Sequence, residues 1–233
     1  MAAPDFSKIC SIFLESSLRK CEPHLLKNFN MPESYELVAL KTIHDTVMGK
    51  YYPVLNQETA VIWIGGVGGD WDTPATNLYP EIIQRLQELQ IASLWLRYQN
   101  PGNLETSIFD VLIGIEFLKE EGIKNIAIVG WSFGGAIAIQ AAIASKQIYT
   151  VITISTQSQG TLDVAELPQN TPILLIHGAN DKTLSPLNSE LIFSLANSPK
   201  RLILLRGGHG LEESKTILEE LILSWLQENI KHD

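Results

Sequence analysis

The feature that most constrains this chain is a series of short, uniformly apolar runs separated by helical segments, which starts near residue 60 and continues to the end. The runs at 60–64, 92–96, 126–129, 151–154, 173–176 and 202–205 have the length of strands. Being apolar on both sides of the pleat, they read as strands buried on both faces. The intervening segments at 79–89, 106–120, 134–144, 187–196 and 211–229 read as helices; in the second, Ile108, Leu112, Ile115 and Leu118 lie along one side. Strands alternating with helices imply βαβ units, hence an α/β fold with a mostly parallel sheet and helices on both faces. Two further strands at 36–44 and 46–54, joined by a short turn, read as a hairpin that precedes this series. Ligands of such sheets lie beyond the carboxyl ends of the strands, so the chemistry is expected in residues that follow strands.

Residues 1–34 differ from the rest. Phe6, Ile9, Cys10 and Phe13 fall at the spacing of an amphipathic helix, and Pro4-Asp5 is a suitable start for it. The expected organisation is a helical extension over 1–34 and one domain over 35–233. The extension is suited to packing on the core, covering a site as a lid, or making an oligomer contact, and packing on the core is the plainest of these. Cys10 and Cys21, placed in one helix, would lie roughly 16 Å apart, too far for a disulfide. Two cysteines make no disulfide framework, and a reducing compartment is expected. The start Met-Ala-Ala-Pro-Asp has no basic segment followed by an unbroken apolar stretch, and no run approaches the ~18 apolar residues of a membrane span. A soluble, cytoplasmic protein is the expectation.

The net charge of −9 comes with no cluster of Lys or Arg, which argues against nucleic acid as a partner. No His, Cys, Asp or Glu cluster has the spacing of metal ligands, and Asp70 and Asp72 read as turn or cap residues. No metal is expected.

After the run at 126–129 comes Gly130-Trp131-Ser132-Phe133-Gly134-Gly135, a G-x-S-x-G sequence. Three fixed residues of common types recur by chance in roughly one chain of this length in ten, so the motif alone is weak. Its setting gives it weight, because an apolar strand precedes it and a run of small, helix-prone residues follows. A serine on so tight a strand-to-helix turn is strained and lifted clear of the sheet. The flanking glycines let neighbouring backbone approach closely, and the following helix N-terminus favours developing negative charge.

A serine hydroxyl needs a base to take its proton. Of the five histidines, His24 lies in the extension, His232 in the tail, and His44 at the end of an early strand, where a structural role fits better. His177 and His209 both follow late strands. His209 sits in Arg206-Gly207-Gly208-His209-Gly210, a loop able to present an imidazole at the sheet edge. In Ile176-His177-Gly178-Ala179-Asn180-Asp181 the residue at the loop tip is Asp181. His209 is therefore assigned as base and Asp181 as the group that orients it and stabilises the imidazolium. The chain order Ser132, Asp181, His209 is the serine–acid–histidine order of the α/β-hydrolases.

An acyl-transfer intermediate needs backbone N–H groups aimed at its oxygen. Phe133, directly after the nucleophile, is one candidate. The second is expected from Gly65-Gly66-Val67-Gly68-Gly69-Asp70, with Val67 first and Gly66 next. This loop has neither the P-loop lysine nor the Rossmann glycine spacing, which discounts a nucleotide.

With these residues identified, the chain from about 36 to 230 resembles the α/β-hydrolase superfamily, and within it small members such as dienelactone hydrolases, carboxylesterases and acyl-protein thioesterases. The resemblance rests on Gly130-Trp131-Ser132-Phe133-Gly134-Gly135, Ile176-His177-Gly178-Ala179-Asn180-Asp181 and Gly208-His209-Gly210. The loop Gly65-Gly66-Val67-Gly68 is similar to the His-Gly-x-Gly oxyanion loop of the family, with Gly65 where histidine is usual. The resemblance implies an eight-stranded sheet, hydrolysis without a cofactor, and an acyl-enzyme on Ser132. The segment 156–171, where larger members insert a helical cap, is short, which implies a short or absent cap and a small or open site. Trp71, Trp131 and Leu184 are candidate substrate-lining residues, together with Phe133. Arg97 is placed either to receive a substrate carboxylate or, more plainly, to form a structural ion pair. The expected reaction is cleavage of a carboxylic ester or thioester. A peptidase or amidase on the same triad is the alternative enzyme, and a ligand-binding or interaction protein on this scaffold is the alternative from another class.

Overall fold

The computed structural model describes residues 35–41, 46–197 and 199–229. The expected extension over 1–34, with Cys10, Cys21 and His24, lies outside the described residues, as do His44 and His232.

Eight strands form one sheet: β1 (Glu36–Lys41), β2 (Thr46–Tyr52), β3 (Thr59–Ile64), β4 (Ala92–Arg97), β5 (Asn125–Trp131), β6 (Ile148–Ile154), β7 (Ile173–Gly178) and β8 (Lys200–Leu205). Their spatial order is β1-β2-β4-β3-β5-β6-β7-β8. The hairpin pairs antiparallel as expected, and β2 also pairs antiparallel with β4, so the hairpin extends the main sheet. From β4 to β8 every pairing is parallel.

Among the described residues, five α-helices cover this sheet: α1 (Leu78–Glu88), α2 (Leu104–Glu120), α3 (Phe133–Ala144), α4 (Leu187–Leu195) and α5 (Lys215–Asn229). The period of two along the strands divides the core between them. Ile62, Ile64, Ile126 and Ile128 face α2 and α3, with Val111, Ile115, Ile137 and Ala141 across from them. Val61, Trp63, Ala127 and Val129 face α1 and α5, with Ile82, Ile83, Leu86 and Leu226 across from them. Strands buried on both faces explain the continuous apolar runs. The run at 202–205 departs from that reading. It is the edge strand β8, and the end of a sheet receives less cover, so Leu204 stays 43% exposed.

The winding of the chain creates the site. β4 lies on one side of β3 and β5 on the other, so the chain reverses its direction of travel across the sheet at β3. At such a reversal the loops leaving two adjacent strands diverge and leave a crevice. Here the adjacent ends are Ile64 and Gly130, which are register partners. The glycine-rich loop after β3 and the serine turn after β5 therefore leave the sheet side by side.

Among the described residues, no helix is long and apolar enough to cross a membrane.

Candidate active site

Ser132 stands between β5 and α3 with φ 57° and ψ −119°. These are the dihedrals of the first central residue of a type II′ turn, a place normally given to glycine. Its N–H donates to Ile154 O at 2.8 Å, and its carbonyl accepts from Thr156 Oγ1 at 3.0 Å and Gly135 N–H at 3.1 Å. The turn is thus tied to β6 and to the segment after it. The flanking glycines are required by close approach. A Cβ on Gly130 would lie 2.2 Å from Gly134 O, and one on Gly134 would lie 2.3 Å from Gly65 O. The second contact seats the start of α3 directly on the backbone after β3.

The three residues assigned from chain order meet. His209 Nε2 lies 3.0 Å from Ser132 Oγ, and His209 Nδ1 lies 2.7 Å from Asp181 Oδ2. A carboxylate only accepts, so Nδ1 carries the proton and Nε2 presents its lone pair to the Ser132 hydroxyl. The Asp181 side chain has no exposed surface, whereas the His209 side chain keeps 20%. The loops carrying them are stitched together by Ala179 N–H to Leu205 O at 2.7 Å and Asn180 N–H to Gly207 O at 2.9 Å. Burial on its own would raise the Asp181 carboxyl. The hydrogen bond from His209, those from the Leu184 and Thr183 N–H groups at 3.0 and 2.8 Å, and the charge of His209 outweigh it, leaving the carboxyl below its ordinary value.

Two of the candidate oxyanion donors, Phe133 and Gly66, lie beside the Ser132 turn. Phe133 opens α3, where the first N–H groups have no partner within the helix. Gly66 faces the turn: a Cβ on it would lie 3.3 Å from the Trp131 ring and 3.9 Å from Ser132 Cβ. Val67 follows at the tip of the loop with 58% exposure, and a turn closes from Gly69 N–H to Gly66 O at 3.2 Å.

The candidate substrate residues divide. Trp131 stays at the centre, its ring 5.4 Å from that of His209 and its Nε1–H donating to His209 O at 3.2 Å. Leu184 contributes through its backbone, by the N–H that holds Asp181. Arg97 Nε lies 3.5 Å from Asp70 Oδ1, with both side chains exposed. Trp71 packs edge-on against Trp95 at 5.6 Å and lies beneath Lys50 Nζ at 4.6 Å. Burial, and then the charge of Asp70, raise the carboxyl of Asp72. Among the described residues, no group of three or more His, Cys, Asp or Glu is arranged to hold a metal.

The comparisons with known proteins bear on the fold. Residues 103–194, from the N-cap of α2 into α4, match the phospholipase/carboxylesterase family. A dienelactone hydrolase from Anabaena variabilis superposes with a TM-score of 0.74 at 16% identity, covering 85% of this chain and 99% of its own. This chain has the α/β-hydrolase fold. Est1E from Butyrivibrio proteoclasticus (TM-score 0.69, 16% identity, 83% and 98% covered) and the mouse α/β-hydrolase domain-containing protein 10 (0.68, 16%, 82% and 98%) share it. No curated protein matches the sequence.

Two tyrosines of this chain carry a positioning role that sequence reasoning did not assign. Tyr98 Oη donates to Gly65 O at 2.6 Å and Tyr79 Oη to Ile64 O at 3.1 Å. Burial raises both phenols well above their ordinary value, so both stay protonated donors. They fix the carbonyls at the end of β3 and hence the root of the glycine-rich loop. Only Tyr98 gave a signal, by its place directly after β4.

Proposed function

We propose that this protein is a serine hydrolase that cleaves a small carboxylic ester or thioester through an acyl-enzyme on Ser132. The observation that carries the reading is the continuous hydrogen-bonded line from Ser132 Oγ through His209 to Asp181, at 3.0 and 2.7 Å. It supplies the nucleophile, the base in its productive tautomer, and the buried anion that stabilises the imidazolium.

His209 Nε2 takes the Ser132 proton as Oγ attacks the acyl carbon. The oxygen that becomes negative is received by the N–H of Phe133 and by that of Val67 or Gly66. His209 then returns the proton to the departing alcohol or thiol. In the second half-reaction water attacks the acyl carbon, His209 takes its proton, and Ser132 is regenerated as the acid leaves. The short segment between β6 and β7, with a single 3₁₀ turn at Val164–Glu166, favours a shallow site and a small acyl group.

The test is reaction with a fluorophosphonate probe, followed by turnover of p-nitrophenyl esters, acyl thioesters and p-nitroanilides. Labelling at Ser132 that Ser132→Ala abolishes, with ester or thioester turnover above anilide, supports the reading. Preferred anilide cleavage would replace it with an amidase. Folded protein that neither labels nor turns over any substrate, yet is thermally stabilised by an ester, would replace it with a binding protein.

A further inference from the structure

His177 has no exposed surface, and the reaction as written uses none of its atoms. Its two ring nitrogens are nonetheless fully engaged. Nε2 lies 3.0 Å from Leu184 O and 3.2 Å from Asp181 Oδ2, and Nδ1 lies 2.7 Å from Ser189 Oγ on α4. A carbonyl and a carboxylate only accept, so Nε2 must carry a proton to face both. Burial disfavours a second proton and holds the imidazole below its ordinary 6.5, against the opposing pull of Leu184 O and Asp181. Nδ1 is then a lone pair, and the buried Ser189 hydroxyl donates to it.

We propose that His177 is a positioning residue: its Nε2–H, locked in one tautomer by Ser189, is shared between Leu184 O and Asp181 Oδ2 and sets how Asp181 acts on His209. The proposal rests on the reading of Ser132, His209 and Asp181 as a triad. Asp181 Oδ1 is held by the N–H groups of Thr183 and Leu184. Without His177, Oδ2 would face His209 alone. The second donor on Oδ2 fixes the carboxylate in the plane that meets His209, and it draws negative charge away from that bond. The same N–H ties the loop to itself, because Leu184 both donates to Asp181 and accepts from His177.

The groups facing His209 are Asp181 from the loop after β7, Ser132 from the turn after β5, and His177 behind Asp181 on β7. On the turn after His209, Glu212 is engaged by the Thr76 N–H and hydroxyl, and Glu213 lies against Gly207. His177, being neutral, acts through its hydrogen bond rather than through charge. Removing that bond leaves Oδ2 more negative toward His209 and so favours the imidazolium.

The first measurement needs no substitution. In ¹⁵N-imidazole NMR of the wild-type protein, His177 is expected as the neutral Nε2–H tautomer across the range in which His209 titrates. A Nδ1–H tautomer would overturn the proposal. In His177→Phe, the His209 titration midpoint and the acid limb of kcat/KM are both expected to move up by about 0.5 pH unit. kcat should fall about tenfold with KM within about twofold, the mark of an interaction felt in the transition state. His177→Gln keeps an N–H donor and should recover most of both effects. A purely structural role would lower thermal stability and leave the midpoint in place, so an unmoved midpoint in folded His177→Phe refutes the inference. If wild-type protein neither labels at Ser132 nor hydrolyses esters, the triad reading fails, while the NMR tautomer and midpoint still decide the role of His177.

Discussion

The backbone of Ser132 stores energy that one pair of substitutions can measure. At φ 57°, ψ −119° a residue with a Cβ is strained, by about 1–3 kcal/mol for sparsely populated conformations of this kind. Ser132→Ala and Ser132→Gly remove the same hydroxyl and the same bond to His209. No helix cap is lost in either, because the Ser132 side chain caps nothing in α3. Only the glycine releases the strain. It also gives the unfolded chain more freedom, which costs about 0.4–1 kcal/mol. The net expectation is that Ser132→Gly is more stable than Ser132→Ala by about 1–2 kcal/mol, or about 2–8 °C in Tm for a chain of this size. Asn103 supplies the control, since it caps α2 with an ordinary extended backbone at φ −94°. Urea unfolding of Asn103→Gly against Asn103→Ala gives the preference for glycine at an unstrained cap, and the Ser132 pair must exceed it. Equal differences at the two positions, or an alanine variant as stable as the glycine at 132, would refute the claim of strain.

Other expectations follow from the same geometry. Asp181→Asn should lower kcat on the order of 10³–10⁴-fold, because an amide N–H facing Nδ1 favours the wrong imidazole tautomer; wild-type-like steady-state kinetics would contradict this. Gly134→Ala drives a Cβ to 2.3 Å from Gly65 O, which is backbone and cannot rotate away. A loss of about 3 kcal/mol in urea unfolding is expected, at the upper end of overpacking costs. Stability should decline in acid, in two ranges. The pKa of buried His177 is lowered, so the unfolded chain binds its proton first and stability drops as pH falls below 6.5. The pKa of Asp181 is also lowered, and the stability it contributes is lost as pH falls from 3.8 through its folded value. Urea midpoints across this pH range check both, and His177→Phe should flatten the upper step.

Fold and site differ in how much of each the sequence disclosed. The strands were visible because burial on both faces removes the ambiguity of alternation; Val61 and Ile62 are both buried although they point to opposite helical layers. The edge strand β8 was misjudged in environment, because composition cannot tell where a strand ranks across the sheet. Ser132, Asp181 and His209 were legible as residues that follow strands. Tyr79, beneath the glycine-rich loop, was not, since it reaches Ile64 O from within a helix and only the packed structure brings the two together. His177 had the opposite difficulty. Its position resembled that of a base, and only the contacts to Leu184, Ser189 and Asp181 give it a different role.

The indole of Trp131 is wedged between the two halves of the centre. A Cβ on Gly66 would touch its ring at 3.3 Å, and its N–H holds the carbonyl of His209. On the acyl-enzyme reading proposed above, residue 131 is the wrong place to carve for a bulkier acyl group. Trimming it would remove the ring that packs beside Gly66 and the N–H that holds His209 O in one stroke. The segment between β6 and β7, where Leu162 is 63% exposed, is the other place to test.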